Sequence, residues 1–122
     1  MASNFPFITD EQSALLRANG LMARACQDEA QDFDPLPVVK LFTPDAGATW
    51  LLTEIDPDEP DLAFGLCDLG MGFPEFGRVS LSELCEVRGM MRLPIEQDVH
   101  FRAVQRLSAY AREARMAGRI QA

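Results

Sequence analysis

The sequence predicts an α+β fold: a small antiparallel sheet of four to five strands, with an N-terminal helix, a short helix before the last strand and a C-terminal helix. Three observations carry that expectation. Runs rich in β-branched and aromatic residues follow one another across short turns, which favours antiparallel pairing. Helix-like runs stand apart from those strands instead of alternating with them one for one. Capping residues open the helical runs and glycines close them.

Taken in order, "ITDEQSALLRANG" begins a helix, with Thr9 as N-cap, Asp10 and Glu11 in the first turn and Gln12 three residues after the cap. Leu15, Ala18, Met22 and Ala25 share one stripe and are the expected core face. Asn19-Gly20 offers a stop, with continuation to about Cys26 as the alternative. "LPVVKLF" and "TWLLTEI" read as strands joined by the turn "TPDAGA", where Asp45 shapes the turn. "LAFGLCDL" is a third strand, in which Gly65 signals a close approach or a bulge. "GMGFPEFG" is a long turn into a short strand, "RVS". Ser80 and Glu83 then form a capping box for a compact helix ending at Gly89. Residues 94–102 follow as the last strand. A final helix has Ser108 as its cap and Gly118 at its stop, with Leu107, Ala111 and Ala114 inward and Arg112, Arg115 and Arg119 in water.

With 122 residues, 48% of them hydrophobic, the chain suits a single domain, 1–122, able to bury a core. The N-terminus has no basic segment leading into a long apolar one, and no apolar run approaches the ~20 residues of a membrane span. A cytoplasmic protein with no membrane contact is therefore expected. The net charge of −8 is unevenly spread. Residues 1–98 hold six basic and 18 acidic side chains, a net −12, whereas residues 99–122 hold five Arg and one Glu, a net +4. Such a body repels nucleic acid except at Arg112, Arg115 and Arg119, and favours a basic protein partner. The same arginines offer a route to a homodimer, by docking on the acidic body of a second copy.

Few motifs point to chemistry. Cys26, Cys67 and Cys85 are widely spaced without a CxxC pair, as expected of reduced thiols and not of a zinc site. Gly70-Met71-Gly72 lacks the third glycine of a dinucleotide fingerprint and the lysine of a phosphate loop. "DPDEPD" presents Asp56, Asp58, Glu59 and Asp61, but without the glycine and later bidentate acid of a calcium loop, so solvated charge that steers a partner is the expectation. Trp50 suits a core or pocket wall, and is a binding candidate if exposed for stacking. No cofactor or metal is expected from this set.

The stretch "PIEQDVHFR" is the exception. With a period of two, Ile95, Gln97, Val99 and Phe101 fall on one side, and Glu96, Asp98, His100 and Arg102 on the other. A charged outer face is one reading of that second row. The other is acid–base or Mg²⁺/Mn²⁺ chemistry on a phosphodiester by Glu96, Asp98 and the lone His100, with Lys40 or Glu54 recruited from neighbouring strands.

The pieces "VKLFTPD", "TWLLTE", "FGL", "E-x-G-x-x-SLSEL" and "LPIE-x-D-x-x-F", spanning about residues 37–101, resemble the domain-of-unknown-function family 2958. Gln97 departs from the arginine expected there. The resemblance implies a small bacterial accessory protein of plasmids and integrative elements, a setting in which a label of single-stranded-DNA action also occurs. Of the polar positions inside the matching pieces, Lys40, Trp50, Glu54, Glu96 and Asp98 have no evident scaffold role. The functional expectation is an acidic, non-enzymatic interaction or inhibitor module for a basic, nucleic-acid-handling protein. The alternative is a metal-dependent nuclease for single-stranded DNA.

Overall fold

The computed structural model describes residues 5–122, leaving residues 1–4 of the N-terminal segment outside the description. The elements are α1 (Asp10–Asp28), β1 (Val39–Phe42), β2 (Thr49–Ile55), β3 (Leu62–Asp68), β4 (Glu75–Ser80), α2 (Leu81–Glu86), β5 (Glu96–Gln97) and α3 (Leu107–Ala117). The strands form one antiparallel sheet in the order β4-β3-β2-β1-β5, so the chain meanders outward and then returns to the β1 edge. This is the α+β architecture that the strand runs and turns predict.

Helices cover both faces of the sheet. On one, Leu16 of α1 and Leu81 and Leu84 of α2 pack with Val39, Leu41, Trp50, Leu52 and Ile95. On the other, Leu107, Tyr110, Ala111 and Ala114 of α3 cover Leu51 and Leu66. Burial on both faces explains why β2 reads as an almost continuous apolar run instead of an alternating one.

α1 departs from the sequence reading in the face it buries, and in length it follows the longer alternative, running past Cys26 to Asp28. Thr9 makes the expected capping box with Gln12, at 3.1 and 3.0 Å. Toward the sheet, however, α1 turns Ser13, Leu16 and Gly20, whereas Leu15 and Met22 are more than half exposed. The helix does not stop at Asn19-Gly20, because those two residues are where it crosses β2. The Asn19 amide donates to the Thr53 carbonyl at 2.9 Å, and a Cβ on Gly20 would lie 1.8 Å from the Ile55 carbonyl oxygen. Only glycine permits that approach.

One cap and one turn residue also differ. Ser108 does not cap α3; Asp34, far back in the chain, accepts from the Ser108 amide at 3.0 Å and from its hydroxyl. Asp45 does not hold its own turn: its Oδ2 accepts from the amides of Met91 (2.6 Å) and Leu93 (3.3 Å), fastening the 88–94 loop to the β1–β2 hairpin. Gly89 packs directly on that carboxylate, which accounts for a glycine beyond the end of α2 at Glu86. Gly118 closes α3 in the left-handed conformation, as its position predicts.

The last strand is much shorter than residues 94–102. β5 pairs only Glu96 and Gln97 with Phe42 and Leu41. Asp98 then ends it, because its carboxylate accepts from the His100 amide at 3.0 Å and turns the chain. The period-two pattern breaks there, and Val99, expected inward, is 64% exposed.

Candidate functional site

Two concave regions hold the chemically interesting side chains, and they are separate. The first starts from an irregularity in β2. Register shifts between Leu52 and Glu54 against β3, leaving Thr53 as the extra residue. Its hydroxyl lies 3.2 Å from the Phe64 carbonyl and 3.0 Å from Glu54 Oε1. The bulge places Glu54 in a cleft of about 400 Å³, with Arg24, Asp32, Phe33, Asp56, Phe64 and Arg78 among its lining. Burial raises the Glu54 carboxyl above the ordinary carboxylate range, and the Thr53 hydroxyl and Arg78 only partly oppose it.

The loop "DPDEPD" forms part of this cleft's rim, and most of its acids have structural partners. Asp56 accepts from the amides of Asp58 (2.8 Å) and Glu59 (3.2 Å), which hold its carboxyl low, and lies 3.8 Å from Arg24 and 4.0 Å from Arg78. Asp58 takes both ends of the Arg24 guanidinium, at 2.6 and 3.3 Å. Asp61 accepts from the Ser80 hydroxyl (2.5 Å), the Ser82 amide (2.8 Å) and the Ser82 hydroxyl (2.9 Å), so it pins the start of α2. Ser80 itself caps that helix by accepting from the Glu83 amide at 3.2 Å. Glu59, together with Asp28 and Glu29 at the end of α1 and Asp32 in the connector after it, is exposed and makes no ion pair among the described residues.

Glu54 is raised in the folded chain, so the stability tied to its protonated form is complete below the ordinary 4.5 and is lost as pH rises through the raised value. Glu54→Gln is expected to gain stability over the parent between acid and neutral pH, read from urea titrations at the two pH values. A gain that does not change with pH would contradict the desolvated carboxylate.

The second region is a groove of about 520 Å³ beside β1 and β5, lined in part by Lys40, Thr43, Thr49, Glu96, Asp98 and His100. Lys40 and Leu51 are register partners across β1 and β2. The Lys40 ammonium lies 3.2 Å from Asp98 Oδ2 and donates to the Ala122 carbonyl at 2.5 Å. Burial pushes the Asp98 carboxyl up, but the His100 amide and Lys40 together outweigh it and leave it below the ordinary range. Glu96 and His100 are exposed on the rim. Among the described residues, no group of three or more His, Cys, Asp or Glu is placed to hold a metal ion.

Lys40, Glu96, Asp98 and His100 thus share one groove, and Glu54 belongs to the other cleft. Trp50 is 4% exposed in the α1-side core, with no face open to a stacking partner. Arg112 and Arg119 are exposed on and after α3, and Arg115 lies over the Phe76 ring at 5.2 Å. Sequence reasoning missed Arg24, Arg78 and Phe33 as cleft residues, and also Gln97. The Gln97 amide donates to the Phe7 carbonyl (2.9 Å) and to Gln12 (2.6 Å), tying the N-terminal segment to β5. No local pattern announces either arrangement. Burial pushes the Cys67 thiol up to about 11, and also raises Cys85, which leaves both as poor nucleophiles. Among the described residues, no helix is long and apolar enough to cross a membrane.

Fold and surface together define a small acidic α+β protein with helices on both sides of a five-stranded antiparallel sheet. The family model described as protein of unknown function (DUF2958) matches residues 7–121, and the chain belongs to that family. The match extends well beyond the 37–101 segment on both sides. No curated protein and no solved structure matches the chain.

Proposed function

We propose that this protein is a non-enzymatic interaction module that binds a basic, nucleic-acid-handling protein. In this reading it serves a mobile genetic element, aiding its transfer or blunting host defence, the setting the family resemblance implies. One observation carries the binding reading: Asp32 lines, exposed and unpaired, a cleft that also contains Glu54 and Asp56, and the exposed, unpaired Asp28, Glu29 and Glu59 belong to the two chain segments that supply its lining. Arg24 and Arg78, the cations in that lining, both face Asp56, and Arg24 also pairs with Asp58, so neither compensates the other acids. Uncompensated charge in one region costs stability through self-repulsion, and it speeds encounter with an oppositely charged partner.

The test is a titration with a fluorescent oligo-arginine peptide. Affinity is expected to fall steeply with added salt, and to drop about tenfold or more (~1.4 kcal/mol) when Glu29, Asp32 and Glu59 are changed together to Lys. Salt-insensitive binding, or binding that the triple variant leaves intact, would refute the reading.

A second reading, a nuclease for single-stranded DNA assisted by Mg²⁺ or Mn²⁺, is favoured by the shared groove of Lys40, Glu96, Asp98 and His100. It predicts metal-dependent cleavage that disappears in Asp98→Asn. Cleavage at an unchanged rate in that variant excludes it.

A further inference from the structure

α1 turns its smaller side to the core and its more apolar side to water. Inward it sends Ser13, Leu16 and Gly20. Outward it presents Ala14, Leu15, Ala18, Leu21, Met22 and Ala25, all exposed, with Leu15, Leu21 and Met22 at 51%, 60% and 53%. These six recur at spacings of three and four, so that Ala14 and Leu21, Leu15 and Met22, and Ala18 and Ala25 are each one heptad apart. The charged residues within the same span do not interrupt the stripe. Arg17 and Arg24 are half-buried at its flanks, and Arg24 is engaged by Asp58.

Single exposed apolar side chains are ordinary; a continuous stripe of six at coiled-coil spacing is not. Three alanines along it keep the helix surface low, which lets a second helix approach closely. The stripe therefore has the shape of a seam for one helix.

Charge at the two ends selects the occupant. Glu11 lies one heptad before Ala18 and is exposed, and Asp28 and Glu29 follow Ala25 by three and four residues. The last turn of α1 has no basic residue, so its acids also stand against the negative end of the helix dipole. A second copy of α1 fits poorly. Laid parallel it sets Glu11 against Glu11, and laid antiparallel it sets Glu11 against Asp28 and Glu29. A helix with an apolar stripe and arginine or lysine near both ends meets acids at each end instead.

We infer that the outer face of α1 is the docking seam for such a basic-ended amphipathic helix of a different protein. This rests on the basic-partner reading above and names the element that the partner presents.

The probe is a synthetic amphipathic helix of about three heptads with arginine in its first and last turns, beside a control carrying glutamate at those positions. Anisotropy titrations are expected to show the arginine-ended peptide binding about tenfold tighter or more. Backbone amide shifts on titration are expected to concentrate in residues 14–25. Leu21→Glu, at an exposed position, is expected to abolish this binding while thermal unfolding stays unchanged. The Glu11→Lys, Asp28→Lys variant should reverse the preference between the peptides.

Three results would overturn the seam. One is binding of the arginine-ended peptide that Leu21→Glu leaves intact, with shifts around the Glu54 cleft. Another is binding of neither helical peptide under conditions where oligo-arginine still binds. The third is a chain that sediments as a dimer and becomes monomeric in Leu21→Glu, which would make the occupant a second copy. The first two leave the basic-partner reading standing, so the two failures are distinguishable.

Discussion

Gly20→Ala is expected to destabilise the protein by about 2 to 3 kcal/mol, although in an isolated helix the same change would stabilise it by roughly 1 kcal/mol. The reversal comes from one contact. An added Cβ would lie 1.8 Å from the Ile55 carbonyl oxygen and 3.0 Å from its carbon. Both atoms are backbone, so no side chain can swing aside, and relief requires α1 to lift off β2. Lifting it stretches the Asn19 bond to the Thr53 carbonyl and opens the packing around Leu16. Urea unfolding measures the cost. Gly47→Ala is the control, since its new Cβ would meet nothing nearer than Gly70 Cα at 3.7 Å. Equal stability of Gly20→Ala and the parent would mean that α1 does not sit this close to the strand.

Leu51→Ala is expected to cost about 2 to 5 kcal/mol and to loosen α3 before the rest of the molecule. Leu51 is fully buried, and two of the four α3 residues in this cluster, Ala111 and Ala114, are small. Leu51 and Leu66 therefore supply much of the bulk that the helix packs on, and a cavity under it has little to collapse into. Hydrogen exchange is the appropriate readout, with the amides of residues 107–117 losing protection first. Leu15→Ala, at a site more than half exposed, should change stability by less than about 0.5 kcal/mol. Retention of α3 protection in Leu51→Ala would place the weight of that face elsewhere.

The elements that sequence reading recovers are those specified by neighbours in the chain. β2 spans the "TWLLTEI" run as read, α2 starts after Ser80, and Gly65 is a point of close approach, where a Cβ would lie 2.0 Å from the Leu51 carbonyl oxygen. The elements it misplaces are specified at a distance. Asp45, Asp68 and Asp34 hold amides 46, 52 and 74 residues away, those of Met91, Ile120 and Ser108. Nothing beside those aspartates in the chain indicates their partners. α1 differs from its expected face for another reason: its water-facing stripe is the more apolar one, and periodicity reports hydrophobicity without reporting what covers it.

The candidate site was legible to a similar degree. Lys40, Glu96, Asp98 and His100 do line a single groove, which the sequence could nominate but not assemble. The Glu54 cleft depends on the Thr53 bulge and on Arg24 and Phe33 arriving from α1 and the connector after it. Acids in "DPDEPD" that look like one anionic run divide into three structural anchors, Asp56, Asp58 and Asp61, and one free charge, Glu59.

The sheet's two borders have a consequence for behaviour at high concentration. A strand at the margin of a sheet templates further strands from other molecules unless something discourages it. At one margin, β5 gives two paired residues before the Asp98 turn carries the backbone away, too short a run to nucleate a fibre. At the other, β4 sets the exposed charges of Glu75 and Arg78 on either side of Phe76, and each added molecule would have to accommodate them. Aggregation by edge-to-edge growth is thus opposed at both borders, even though the long outer helix leaves so much apolar surface in water.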